Sequence, residues 1–137
     1  MRFFTENSPA SIHLAGLCQA LADDAEFQGM LRDIAEFKRD DVAQKQLAEL
    51  TSRGNVIRAK QTRHEDLIPR EVEEFEELRA EFLSNPVAAG YVESQEQILN
   101  TRKFIAHFIA KTIERGTPPT LKEIQDIFEN NNHCGSC

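Results

Sequence analysis

The segment between Asn85-Pro86 and Gly116 most constrains what this chain can fold into. It contains no proline after its first residue, and its apolar residues recur at helical rather than strand spacing. Asn-Pro supplies an N-cap followed by a first helical residue, and glycine readily adopts the left-handed conformation that ends many helices. The sequence therefore predicts one long helix over residues 86–115.

The remaining breakers also lie where helices are expected to start or stop. No segment shows sustained alternation of apolar and polar residues, and glycine and proline are few. The predicted fold class is all-α, an antiparallel helical bundle of four to five helices with a long fourth helix and a flexible cysteine-containing tail. The predicted helices run from Ser8-Pro9 to about Phe37 with a kink near Asp23-Asp24, from Asp40 to about Gln61, from Pro69 to Asn85, over 86–115, and onward from a capping box at Thr120 and Glu123.

Charge and hydropathy exclude several broad classes of protein. The chain has 137 residues, with 16 Lys and Arg against 23 Asp and Glu, for a formal charge of −7. This balance argues against a general DNA-binding or anionic-membrane surface. No apolar run approaches the roughly 20 residues that a membrane span needs. Three cysteines, an odd number, do not suggest a secreted disulfide framework. We therefore expect a cytoplasmic protein without a membrane span.

The long predicted helix is apolar around well over half of its circumference. A helix with so broad an apolar arc must be covered on two sides. It is therefore either the central helix of the bundle or part of a subunit interface, and the spacing alone leaves both alternatives open. The candidate interface residues on this arc are Tyr91, Ile98, Phe104, Ile105, Phe108 and Ile109.

The C-terminal sequence "NNNHCGSC" is the strongest local sign of chemistry. Cys134 and Cys137 are spaced C-x-x-C, so that one metal ion or cluster can bind both thiolates, and His133 can add an imidazole. Two or three ligands do not complete such a site, so the others must come from elsewhere in the chain, from a second copy or from another protein. A tail with incidental cysteines is the plainer alternative. Cys18 is a further candidate ligand, although its apolar neighbours favour a small buried side chain.

Other polar residues give no catalytic signature. The sequence has no glycine-rich phosphate loop and no nucleophile motif. Residues 53–64 form a basic stretch that is typical of a charge-dense helix end and less indicative of an RNA or acidic-partner site. The acidic residues of "EVEEFEE" are predicted to be solvated, and His107 is predicted to lie on a polar, solvated face. An enzyme is not expected.

Two stretches resemble the YlbF/YmcA family of regulators of Firmicutes. The first is "LAGLCQALADDAEFQGMLRDIAEFKRDDVAQKQLAEL", and the second is "FEELRAEFLSNPVAAGYVESQEQILNTRKFIAHFIAKTI". The second is similar to the family pattern of apolar spacing with an Asn-Pro pair and a tyrosine. Its marks lie on Leu78, Asn85, Pro86, Val87, Tyr91, Gln95, Leu99 and Ile109. The resemblance divides the chain into an extension (1–8), a helical domain (9–130) and a tail (131–137).

The resemblance implies a non-enzymatic regulator that acts through protein complexes. Family members form dimers or higher oligomers, associate with paralogous members and influence competence, sporulation and biofilm formation. One route is modulation of the membrane-associated endoribonuclease RNase Y, and hence of mRNA processing. Members with tail cysteines are associated with iron–sulfur clusters, which implies a shared 4Fe-4S cluster at Cys134 and Cys137. The alternatives are a homo-oligomer with a structural zinc site and a thiol redox sensor.

Overall fold

The computed structural model describes residues 1–133 of the chain as six α-helices without strands. The helices are α1 (Pro9–Asp23), α2 (Ala25–Arg39), α3 (Asp41–Thr62), α4 (Pro69–Ser84), α5 (Pro86–Arg115) and α6 (Leu121–His133). The all-α prediction is confirmed. The long helix is the fifth rather than the fourth, because the first predicted helix is divided in two.

Asp24 causes that division. Its backbone is extended, with φ −74° and ψ 128°, and its amide donates to the carbonyl of Leu21 at the end of α1. Its side chain accepts a hydrogen bond of 3.0 Å from the amide of Phe27 and so caps α2. One residue therefore closes one helix and opens the next, and the predicted kink is a complete break.

The same chemistry starts the other helices of the N-terminal part. The side chain of Ser8 accepts from the amide of Ser11 at 3.2 Å, and Asp40 accepts from the amide of Ala43 at 2.9 Å. α4 begins with Pro69 and has no side-chain cap; the amides of Glu71 and Val72 instead donate to the backbone carbonyl of Ile68.

The chain forms two compact units, and α5 passes from the first, residues 1–94, into the second, which starts at Gln95. The core of the first unit is Phe37, Ala43, Phe82 and Ala88. Around this core lie Leu47, Leu50, Val87 and Tyr91. The ring of Phe37 stacks on Tyr91, with 3.8 Å between centroids, and meets Phe82 edge-on at 6.2 Å. α2, α4 and the start of α5 thus meet at one aromatic side chain.

α3 and α4 pack in antiparallel fashion, since residues late in α3 meet residues early in α4. Lys60 donates to both carboxylate oxygens of Glu71, at 2.9 and 2.7 Å, and Arg53 donates to Glu74 at 2.8 Å. A Cβ atom placed on Gly54 would lie 3.2 Å from the ring of Phe75. Glycine at position 54 therefore allows a close approach of the two helices.

In the second unit, α5 ends at Arg115, and Gly116 follows it with a φ of 76°, which favours glycine. α6 begins beyond the two prolines, where the hydroxyl of Thr120 accepts from the amide of Glu123 at 3.3 Å. The carboxylate of Glu123 does not complete a capping box, because it pairs with Arg115 instead. Ile124 is fully buried in this unit.

Candidate interaction site

The most unusual surface of the molecule is formed by α1. This helix is rich in apolar residues, yet none of its residues is buried. Ile12, Leu14 and Leu17 are 58%, 47% and 42% exposed. Exposed apolar side chains that cluster on one element are typical of a surface that binds another protein. α1 contacts α2. We call its exposed residues Ile12, Leu14 and Leu17, which point to different sides of the helix, the α1 surface.

The α1 surface differs from what the sequence predicts. The spacing of Leu14, Cys18 and Leu21 indicates a core stripe, but only Leu21 is half-buried, and Leu14 and Cys18 are exposed. Helical spacing of apolar residues predicts that one face of a helix is apolar, but it does not predict what packs against that face. The expectation that Cys18 is a small buried side chain is therefore wrong, and the residue is a free, exposed thiol.

The candidate interface on α5 divides into residues packed within the chain and one exposed residue. Tyr91 is used in the core of the first unit, where it stacks on Phe37. Phe104 packs against Phe128 of α6 with 5.8 Å between ring centroids, and Phe108 lies 6.5 Å from Phe104. Ile98 and Ile105 are half-buried, whereas Ile109 is 52% exposed. Ile113, about one helical turn further along α5, is 78% exposed.

The start of α5 supplies core residues to the first unit, and in the second unit Phe104 packs against Phe128 of α6. The central-helix interpretation therefore describes part of α5, whereas the subunit interface stays a prediction. Ile109 and Ile113 are four residues apart and therefore lie on one face of the helix. Ile109 belongs to the predicted interface and is exposed; Ile113 does not belong to it but is exposed on the same face.

The basic stretch 53–64 has a structural role. Arg53 and Lys60 pair with acidic residues of α4, so their charges are neutralised within the chain. Glu71 and Glu74 are half-buried in these pairs rather than fully solvated as the sequence suggests. The stretch therefore offers a weaker cationic surface than its composition indicates.

The predicted metal ligands lie mostly beyond what the structure describes. α6 reaches His133, but the side chain of His133 and the residues Cys134 and Cys137 lie outside the described residues. Within the described residues, no group of three or more His, Cys, Asp or Glu side chains could hold a metal ion. The donor set of the tail suits a thiophilic metal or cluster, although it is too small to complete one.

A cleft between α5 and α6 was not predicted from the sequence. It has a volume of about 390 Å³ and is lined by Asn100, Lys103, His107, Phe128 and Asn131. The imidazole of His107 is exposed, as predicted, but its edge also meets Phe128, with 5.4 Å between ring centroids. The spacing of Asn100, Lys103 and His107 places them on one face of α5, and this spacing was the signal available in the sequence.

No helix of the described chain has the length and apolar character that a membrane span requires.

Comparison with curated proteins and with solved structures gives no significant match. A family model described as "Control of competence regulator ComK, YlbF/YmcA" matches residues 13–114. The match covers α5 almost to its end and leaves α6 and the tail outside.

Proposed function

The chain belongs to the YlbF/YmcA family of competence regulators, and we propose that it is a non-enzymatic adaptor that works inside a protein complex. The observation that carries this proposal is the α1 surface, because α1 is an apolar helix without a single buried residue and leaves its apolar side chains uncovered in the isolated chain. Ile109 and Ile113 add a second exposed apolar site on α5. We propose that these surfaces bind a second copy, a paralogous family member or the RNase Y complex.

The tail gives this adaptor a chemical function. Cys134 and Cys137 supply two of the four thiolates that a 4Fe-4S cluster requires, and His133 is a further donor. We propose that a partner supplies the remaining ligands, so that the cluster forms only in the complex. When bound, the cluster would tie assembly of the regulator to iron supply or redox state, and through RNase Y to mRNA processing.

The cluster is tested by anaerobic purification from the native host, with iron, sulfide and zinc quantified beside the co-purifying proteins. We expect iron and sulfide together with a partner in the wild type. Cys134→Ser should lose the cluster and retain the helical content, because no described helix includes Cys134. Cys18→Ser tests the remaining candidate thiol of the chain and should keep the cluster, because the proposal assigns the other ligands to a partner. A Cys134→Ser protein that retains iron would contradict the proposal, and zinc in a pure homo-oligomer would favour the structural zinc site instead.

The adaptor role is tested separately at the α1 surface. The double variant Ile12→Ser and Leu17→Ser should abolish complex formation while leaving the free energy of unfolding almost unchanged, because neither side chain is buried. Val42→Ser is the control, since Val42 is 63% exposed on α3, outside the α1 surface. Multi-angle light scattering and binding to the purified partner measure the outcome. Equal binding by the wild type and the double variant would exclude α1 as the docking helix.

A further inference from the structure

The cleft between α5 and α6 concentrates hydrogen-bond donors around an open volume. Lys103 contributes an ammonium group, His107 a ring nitrogen, and Asn100 and Asn131 contribute side-chain amides, while the ring of Phe128 forms one wall. None of these five lining residues is acidic. In a chain with a formal charge of −7, a cleft whose charged lining group, among the described residues, is a cation is a local exception.

Within the part of the chain that the structure describes, these donors have no partner. Among the described residues, Lys103 and His107 form no ion pair, whereas Lys111 and Arg115 of the same helix pair with Glu114 and Glu123. The side-chain amides of Asn100 and Asn131 likewise donate to no group within the described part of the chain. The fold therefore leaves the donors of the cleft available to a ligand.

The donors are also held in place by helix packing. Lys103 and His107 are one turn apart on α5, so their side chains project from the same face. The edge-on contact of His107 with Phe128, and the contact of Phe128 with Phe104, fix the wall of the cleft. A site built on two helices loses less freedom on binding than a site on a loop.

We propose that this cleft binds a phosphate group, either inorganic phosphate or the phosphate of a small monoester. Lysine is a common point-charge partner of phosphate, and a phosphate carries at least three terminal oxygens that can accept from Lys103, His107 and an asparagine at once. A phosphate also brings up to two negative charges to the ammonium group of Lys103, whereas a carboxylate brings one. The proposed cluster ligands are not part of this site, since its lining among the described residues includes one tail residue, Asn131, and no cysteine.

The test is a titration of the full chain with sodium phosphate at constant ionic strength, followed by ¹H–¹⁵N spectra of the backbone and side-chain amides. Because the cleft is open to solvent, we expect saturable shifts of the Asn100 and Asn131 side chains with a Kd of about 1 mM. Lys103→Met should weaken binding about tenfold, the effect of losing one charged contact. His107→Phe keeps an aromatic ring against Phe128 but removes a donor, and it should also weaken binding.

Lys122→Met is the matched control, because Lys122 is an exposed lysine of α6 that does not line the cleft. It should bind phosphate as the wild type does. Equal weakening in Lys103→Met and Lys122→Met, or shifts that do not saturate, would overturn the proposal in favour of general charge screening. A repeat titration with adenosine monophosphate identifies the source of the phosphate: tighter binding than inorganic phosphate indicates a monoester, and equal binding indicates phosphate itself.

Discussion

Phe37 provides the sharpest test of how the first unit is held together. The side chain is 2% exposed, and its ring contacts Tyr91 face to face and Phe82 edge-on. Leucine at this position would remain apolar but lose both aromatic contacts. Because an aromatic pair contributes about 0.5–1.5 kcal/mol beyond its burial, Phe37→Leu should lower the free energy of unfolding by about 1–3 kcal/mol. Phe37→Ala also leaves a cavity and should cost about 3–5 kcal/mol.

Urea denaturation followed by circular dichroism measures these changes, and a double-mutant cycle isolates the stack. The cycle uses Phe37→Leu, Tyr91→Leu and the double variant, with an expected coupling of about 0.5–1.5 kcal/mol. Phe3→Leu is the control, because Phe3 is 72% exposed and its replacement should change stability by less than about 0.5 kcal/mol. A coupling below about 0.3 kcal/mol, the value for independent sites, would refute the claim that the stacked rings stabilise each other.

Three further predictions concern helix ends and helix contacts. Asn85→Ala removes the acceptor for the amide of Val87 and the donor to Gln46. In urea denaturation it should lower the free energy of unfolding by about 1–2 kcal/mol. Asn85→Asp keeps the cap and should lower it less. Gly16→Ala should stabilise the protein by up to about 1 kcal/mol, because nothing lies within 4 Å of the added Cβ. Gly54→Ala should stabilise it less, because the ring of Phe75 must move. A larger stabilisation by Gly54→Ala would contradict the close contact. Lys60→Met should lower the free energy of unfolding more than Arg70→Met does, because the Lys60–Glu71 pair is more buried. Its side chains are 19% and 30% exposed, whereas those of the Arg70–Glu74 pair are 85% and 38% exposed. Equal losses of stability would show that burial does not strengthen the first pair.

The sequence predicts helix ends well because each is specified locally. Ser8, Asp40, Asn85 and Thr120 cap helices by hydrogen bonds to residues two or three positions away, so the signal and its effect lie in the same short segment. Asp24 was the exception. Two adjacent aspartates inside an apolar stripe resemble a tolerated polar turn of one helix as much as a cap between two, and periodicity does not separate these cases.

Burial was predicted less well, because it depends on elements distant in sequence. Leu14 and Tyr91 both lie on apolar helical faces, yet one is exposed and the other stacks on Phe37. The cleft at Lys103 and His107 was missed for the same reason, since its wall, Phe128, comes from another helix. Spacing places residues on a face, and only the packing of that face decides between core, interface and ligand site.

The family pattern gains a physical meaning from the start of α5. Asn85 caps this helix and donates to Gln46 of α3, Val87 lies on the core, and Tyr91 stacks on Phe37 of α2. The most specific residues of the pattern therefore hold the start of α5 in the first unit. They contact other residues of the same chain rather than a partner. A match to them supports the shared fold more directly than any shared ligand.

The residues that the family model matches show which proposals agree with family membership and which depend on residues outside the match. The α1 surface lies almost wholly within the matched residues 13–114, so an adaptor role through α1 is consistent with membership. Phe128, Asn131 and both tail cysteines lie beyond residue 114. The proposed phosphate site and the proposed cluster therefore both use residues that the family match does not cover. A result at either site would concern this chain first, and the two sites can fail independently of each other and of the adaptor role.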